Sequence, residues 1–135
     1  MASVRATLHR LLADRDDGRL AQLCAELGID LLTHFGSSLR DPGNARDVDV
    51  AYSFRHGHHG DDLAVVNAFG ERYGDALDLM PLDRAGSVAR VHALSLGEVL
   101  AELTPQKFAT MQMASYGIYL DEAPLRARVL QVMAE

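Results

Sequence analysis

The chain lacks the features of disulfide-stapled, secreted and membrane-spanning proteins. Its single cysteine, Cys24, lies at helical spacing with Leu20 and Leu27, which predicts a buried, inert thiol in a reducing, cytoplasmic setting. No apolar run is long enough to cross a bilayer. Residues 1–12 alternate charged and apolar side chains, so we expect no secretory signal.

Positive charge is also scarce. Lys107 is the only lysine, and 19 acidic residues outnumber 13 basic ones, for a formal net charge of -6. General affinity for nucleic acid depends on clustered basic residues that displace counterions, so it is not expected. A small anionic substrate fits only where metal ions or local positive groups offset the carboxylates. The 135 residues, of which 48% are hydrophobic, predict one domain, 1–135.

Apolar periodicity predicts alternating helices and strands. We expect two short helices on either side of a solvated polar turn at 14–18, and a helix with an acidic start over 61–73. A short helix at 87–94, a strand or extended segment at 98–103, and closing helices follow. The predicted strands are 29–35, 47–52 and 76–82. This order favours an α/β or α+β domain, in which a small mixed sheet is covered by helices on one side and open on the other.

Three aspartates stand where strands are expected, although aspartate is depleted in strands. Asp47 and Asp49 flank a valine in the second strand, so both point to the same face, roughly 6 to 7 Å apart along the strand. Asp78 lies in the middle of the third. Mg²⁺ prefers oxygen ligands and binds through one or two carboxylates plus substrate phosphates. The trio therefore predicts a magnesium site; the alternative is the wet face of an amphipathic strand.

A glycine-serine bend precedes these acids. Gly36 and Ser37 follow a strand and open a short helix that reaches Arg40, an arrangement that can hold a phosphate through backbone N–H groups, a hydroxyl and a guanidinium. The alternative is an ordinary turn with a serine cap. His34, just before the bend, either approaches the phosphate loop or is a partly buried, hydrogen-bonded histidine.

The string Phe35-Gly36-Ser37-Ser38-Leu39-Arg40, followed by Asp47-Val48-Asp49-Val50, resembles the signature of the DNA polymerase β-like nucleotidyltransferases. It is most similar to the minimal, single-domain branch known as MNT. The resemblance implies a mixed sheet flanked by helices, a phosphate loop at Gly36 and Ser37, magnesium held by Asp47 and Asp49, and Asp78 as third ligand or general base. It further implies AMP transfer from ATP to a hydroxyl, with a tyrosine of a helical HEPN-type toxin as acceptor and an antitoxin role for this chain.

Two other functions fit the same residues: a non-catalytic module that masks a helical partner, and a nucleotidyltransferase acting on a small molecule such as an aminoglycoside. The minimal branch often carries a basic residue where Ser38 stands. Two further features bear on partners and metals. An apolar stripe (Ala109, Met113, Tyr116 and Leu120) is either core or a protein interface, including one between copies of the chain. A histidine-rich loop (His56, His58 and His59) is either solvated or a zinc or nickel site.

Overall fold

A computed structural model describes residues 3–135 and contains a four-stranded sheet between two groups of helices. In chain order, the elements are α1 (Val4–Asp17), α2 (Arg19–Leu27), β1 (Ile29–Phe35), α3 (Ser37–Arg40), β2 (Val48–Phe54), α4 (Asp62–Tyr73), β3 (Leu77–Pro81), a 3-10 turn (Leu82–Arg84), α5 (Ser87–Ser95), β4 (Glu98–Glu102), α6 (Lys107–Asp121) and α7 (Ala123–Ala134). No helix among these residues has the length and apolar character needed to cross a membrane.

The sheet is mixed, with the strand order β3-β2-β1-β4. β1 pairs antiparallel with β2 on one side and with β4 on the other. β2 pairs in parallel with β3, and α4 makes the crossover that a parallel pair requires. The predicted fold class, a small mixed sheet flanked by helices, is confirmed. The predicted extended segment after α5 is strand β4.

One face of the sheet carries the larger core. Val48, Val50 and Tyr52 of β2 are fully or almost fully buried there, packed with apolar residues of α1, α2 and α4. Cys24 belongs to this core and has no exposed surface, as predicted. Burial raises the pKa of its thiol to about 12, which keeps the sulfur protonated and unreactive.

The second face is not open, and the prediction of helices on one side only is wrong. Leu31 and Ala51 lie on this face and pack against α5 and α6 through Ala93, Leu94 and Phe108. Helix phases alone do not say which sheet face a helix docks on, so the sequence did not reveal this second layer. The layer leaves Asp78 exposed and Asp49 partly exposed near the end of the same face.

The solvated turn predicted at 14–18 is also wrong. α1 continues to Asp17 and ends at Gly18, whose φ of 85° suits a glycine C-cap. Asp14 is only 5% exposed. Its carboxylate accepts hydrogen bonds from Arg72 Nε (2.6 Å) and from the Tyr73 hydroxyl (2.8 Å), both of α4. A charged residue in α1 is thus part of the contact between two helices.

The apolar stripe of α6 faces outward, so the interpretation as core is wrong. Met113 is 76% exposed and Leu120 is 64% exposed, while Ala109 and Tyr116 are exposed too. α6 instead packs on the sheet through Phe108 and Met111. The following helix, α7, has no buried residue and presents further apolar side chains: Leu125, Val129, Leu130, Val132 and Met133. Exposed apolar surface of this extent is typical of an interaction site.

Candidate active site

Three aspartate side chains meet near one end of the sheet. Asp47 directly precedes β2, Asp49 is the second residue of β2, and Asp78 is the second residue of β3. One carboxylate oxygen from each lies within 4.8 Å of the others. The predicted convergence of these acids is therefore present in the structure.

Strand alignment produces this convergence. In the parallel pair, the Cα atom of Asp49 is the partner of the Cα atom of Asp78, so both side chains leave the same face at the same level. Val48 and Val50, on either side of Asp49, are buried in the opposite face. Asp47 lies just outside β2 instead of inside it, but it still points toward the other two acids.

The three carboxylates have no cationic partner within residues 3–135, because none of them takes part in a salt bridge. Burial, together with the nearby charges of Asp47 and Asp78, raises the pKa of Asp49 to about 6, and burial is the largest cause. Both causes disfavour the charged form of Asp49. A cation bound from outside would remove this penalty.

The residues fit a magnesium ion. All the donors are hard carboxylate oxygens, and one of the three side chains, Asp78, is exposed, so water or a phosphate can complete the coordination. Ligands of one octahedral Mg²⁺ lie about 3 Å apart when adjacent and about 4.2 Å apart when opposite, so the three carboxylates would draw closer than their 4.8 Å limit to share one ion. Asp47, Asp49 and Asp78 as metal ligands and catalytic groups remain a prediction that this geometry supports.

The glycine-serine bend lies directly against the acids. Phe35, the last residue of β1, pairs with Asp49, and Gly36 follows with φ 82° and ψ -161°, a conformation that side chains other than glycine rarely adopt. A Cβ atom at Gly36 would also lie 3.2 Å from Asp49 Cγ. The bare backbone therefore lets the bend approach the carboxylate. Ser37 and Arg40 are exposed on the short helix α3, and the phosphate-binding role of all three residues stays a prediction.

Ser38 points the other way. It is 1% exposed, and its hydroxyl shares a hydrogen bond of 2.7 Å with Nε2 of His34, which is 3% exposed. Burial lowers the pKa of His34, although the charge of Glu98 opposes the shift, so the imidazole is neutral at pH 7. Of the two alternatives for His34, the buried, hydrogen-bonded histidine is confirmed. The hydrogen bond between Ser38 and His34 therefore fixes the glycine-serine bend to the core.

Solved structures of antitoxins share this architecture. A toxin-antitoxin structure with AMP-PNP matches with a TM-score of 0.69 at 18% identity, over 87% of this chain and 98% of that one. An MNT antitoxin in complex with the tri-AMPylated Shewanella oneidensis HEPN toxin matches with a TM-score of 0.65 at 18% identity, over 87% and 96%. The toxin-antitoxin MntA-HepT gives 0.65, also at 18%, over 87% and 97%. The chain has the fold of these antitoxins. No protein-family model and no curated protein matches the sequence.

One neighbour of the site in this MNT-like fold had no signal in the sequence. His92 of α5 lies edge-on to the ring of Phe35, with the ring centroids 6.3 Å apart. Phe35 in turn pairs with Asp49 across β1 and β2, so His92 and Asp49 have Phe35 as a common neighbour. Only the docking of α5 on the second face creates this proximity, and no spacing pattern predicts it.

The histidine-rich loop of the MNT-like fold lies elsewhere. His56, His58 and His59 are exposed, and the ring of His58 packs near Phe54, with centroids 5.9 Å apart. Within residues 3–135, the aspartate trio is the one group whose geometry suits a metal ion. The loop histidines have the surroundings of a solvated loop.

Proposed function

We propose that this chain is a magnesium-dependent nucleotidyltransferase that transfers AMP from ATP to a hydroxyl group. The observation that carries the proposal is the meeting of Asp47, Asp49 and Asp78, without a cationic partner, beside the glycine bend. A structural role for these acids would leave their mutual repulsion unexplained. A cation-and-phosphate site explains both the acids and the glycine.

In the proposed reaction, Asp47 and Asp49 hold Mg²⁺ and Asp78 completes the set. When bound, the metal would neutralise phosphate charge and align the reacting oxygens. Gly36 offers its backbone, and Ser37 and Arg40 offer a hydroxyl and a guanidinium, to the phosphates of ATP. The acceptor oxygen forms a bond to the α-phosphorus while the bond to the β-phosphate oxygen breaks and pyrophosphate leaves. The acceptor proton passes to Asp78 in its role as general base, or to water.

We propose a protein acceptor, a tyrosine of a HEPN-type toxin, and hence an antitoxin role. The similar structures include one in which a HEPN toxin is AMPylated and bound to an MNT antitoxin. The exposed apolar side chains of α6 and α7, such as Met113, Leu120 and Met133, offer a surface for a protein partner. Methionine and tyrosine suit such a surface because they adapt to a partner and bury large apolar areas.

The same surface favours one alternative, a module that neutralises its partner by binding alone. A masking module has no need for three uncompensated carboxylates beside a bare bend. The other alternative, a small-molecule acceptor, keeps the chemistry but draws no support from the exposed helices.

The test is transfer of label from α-labelled ATP to a HEPN-type toxin in the presence of Mg²⁺. We expect label on that protein, and loss of label with Asp47→Ala or Asp49→Ala. Asp16→Ala is the matched control, since Asp16 is an exposed aspartate on α1. Neutralisation of the toxin without label, unchanged by the two site variants, would establish the binding module. Label on an aminoglycoside alone would establish the small-molecule transferase.

A further inference from the structure

A second groove lies on the side of the sheet that faces away from the three aspartates. It runs between α1, α2 and α4, and its main section has a volume of about 600 Å³. Two smaller sections, of about 310 and 210 Å³, continue from it and share Arg72 with it. The proposed transfer reaction makes no use of this groove.

Arg72 is held in the groove by a buried acid. Its Nε donates to Asp14, which is 5% exposed and also receives the hydroxyl of Tyr73. Because Nε is occupied, the plane of the guanidinium is set by the protein. Its two terminal nitrogens have no carboxylate or carbonyl partner within residues 3–135, and the Tyr73 hydroxyl is the one polar neighbour that competes with a ligand for them.

Two more arginines reach the groove from different helices. One terminal nitrogen of Arg10 of α1 donates a hydrogen bond to the carbonyl of Arg72 at 2.8 Å, and the other has no hydrogen-bond partner in the described part of the chain. Arg19 begins α2 and is 68% exposed, with Nε 3.3 Å from Asp17. The groove has three arginines and four acids, because Asp17 lies beside Arg19 and Glu26 lines an adjoining section, in addition to Asp14 and Glu71. Binding of an anion here therefore depends on oriented guanidinium N–H groups and not on excess positive charge.

We infer that this groove binds a small phosphate ester of about the size of a nucleoside monophosphate. Arginine forks match phosphate oxygens in pairs, and the volume is within the range of small-molecule sites. Leu23 and Ala68 supply apolar wall for the organic part of the ligand. Glu71 beside the arginines can accept hydrogen bonds from the sugar hydroxyls or the base amino group of such an ester.

The test is a titration of the full chain with AMP, followed through backbone amide NMR signals in buffer containing EDTA. Without metal, the aspartate site has no divalent ion to recruit the nucleotide. We expect shifts at groove residues such as Leu23, Ala68 and Arg72, and affinity weakened about tenfold or more when Arg10→Ala and Arg19→Ala are combined. These variants keep the Asp14–Arg72 pair and hence the helix contact.

Arg128→Ala, which removes an exposed arginine from α7, is the matched control and should bind AMP unchanged. Asp47→Ala should bind AMP unchanged as well, so a failure of the proposed transferase would not affect the result. Equal affinity for AMP and inorganic pyrophosphate would overturn the assignment to an ester. Shifts confined to Gly36 and Ser37, or undiminished binding in the double variant, would overturn the groove as the site.

Discussion

Two aspartates on opposite sides of the sheet are treated by the fold in opposite ways. Asp14 is buried, but hydrogen bonds from Arg72 and Tyr73 satisfy it, and the bond from Arg72 is the main cause that holds its pKa below the ordinary value. The charged neighbours of Asp49 are the acids Asp47 and Asp78, and burial together with their charges raises the pKa of Asp49 to about 6. A carboxylate compensated within the chain stabilises the fold. A carboxylate without such compensation destabilises the fold unless a ligand binds it, and this property is typical of functional sites.

The largest effect should come from neutralising the uncompensated acid. We expect Asp49→Asn to slow AMP transfer about a thousandfold, because an amide cannot balance the charge of a metal ion at the reacting phosphate. The initial rate of label transfer at saturating Mg²⁺ measures this. Asp16→Asn removes the same charge from an exposed position and should leave the rate unchanged. A rate close to that of the unchanged chain would remove Asp49 from the reaction.

Removing the compensated acid should affect stability instead. We expect Asp14→Ala to lower the free energy of unfolding by about 2 to 3 kcal/mol, because Arg72 and Tyr73 lose their shared acceptor. Urea denaturation gives the value. Asp16→Ala breaks an exposed pair with Arg15 and should cost less than about 1 kcal/mol. Transfer activity per folded molecule should be unchanged by Asp14→Ala. A loss of that activity would show that the contact between α1 and α4 affects the aspartate site.

The pH dependence of stability should have opposite signs for the two acids. The pKa of Asp49 in the folded chain, about 6, lies above its ordinary value of 3.8. The stability that Asp49 contributes is therefore fully present below pH 3.8 and is lost as the pH rises through 6. In EDTA near neutral pH, Asp49→Asn should therefore be more stable than the unchanged chain by about 1 kcal/mol. The lowered pKa of Asp14 has the reverse effect: its contribution is present above 3.8 and lost as the pH falls.

Thermal melts of the Asp49→Asn and Asp14→Asn variants between about pH 2.5 and 7 measure both slopes, because the Asp14 effect lies below pH 3.8 and the Asp49 effect between 3.8 and about 6. Added Mg²⁺ should stabilise the unchanged chain and not Asp49→Asn, because only the intact trio binds the ion. Equal melts of Asp49→Asn and the unchanged chain at neutral pH would show that Asp49 carries no electrostatic penalty.

We expect the smallest effects from substitutions of the neighbouring serines Ser37 and Ser38, of which one is exposed and the other buried. Ser38→Ala removes the hydrogen bond to His34 and should lower the free energy of unfolding by about 1 kcal/mol, with KM for ATP unchanged. Ser37→Ala should leave stability unchanged and raise KM for ATP a few-fold, because this exposed hydroxyl faces the solvent side of the bend. Each variant is the control for the other, and exchanged outcomes would contradict the assignment of the two hydroxyls.

Local patterns predicted most of the fold and the meeting of the aspartates. Period-two alternation placed Asp47 and Asp49 on one face, and β-forming neighbours placed Asp78 in a strand, because these features depend on adjacent residues only. The pairing of Asp14 with Arg72 was missed because 58 positions separate them. The sequence left Met113 open between core and interface for a related reason: several stripes of α6 are apolar, and only docking decides which one packs on the sheet.

The parallel pairing of Asp49 with Asp78 limits how the gene for this chain can change in length. One codon added or deleted between the start of β3 and Asp78 would turn that carboxylate toward the side where Leu77 and Leu79 meet the larger core. The same change would present a leucine at the cation site. Insertions should be tolerated in the stretch before β3 begins, and within the strand only in even steps.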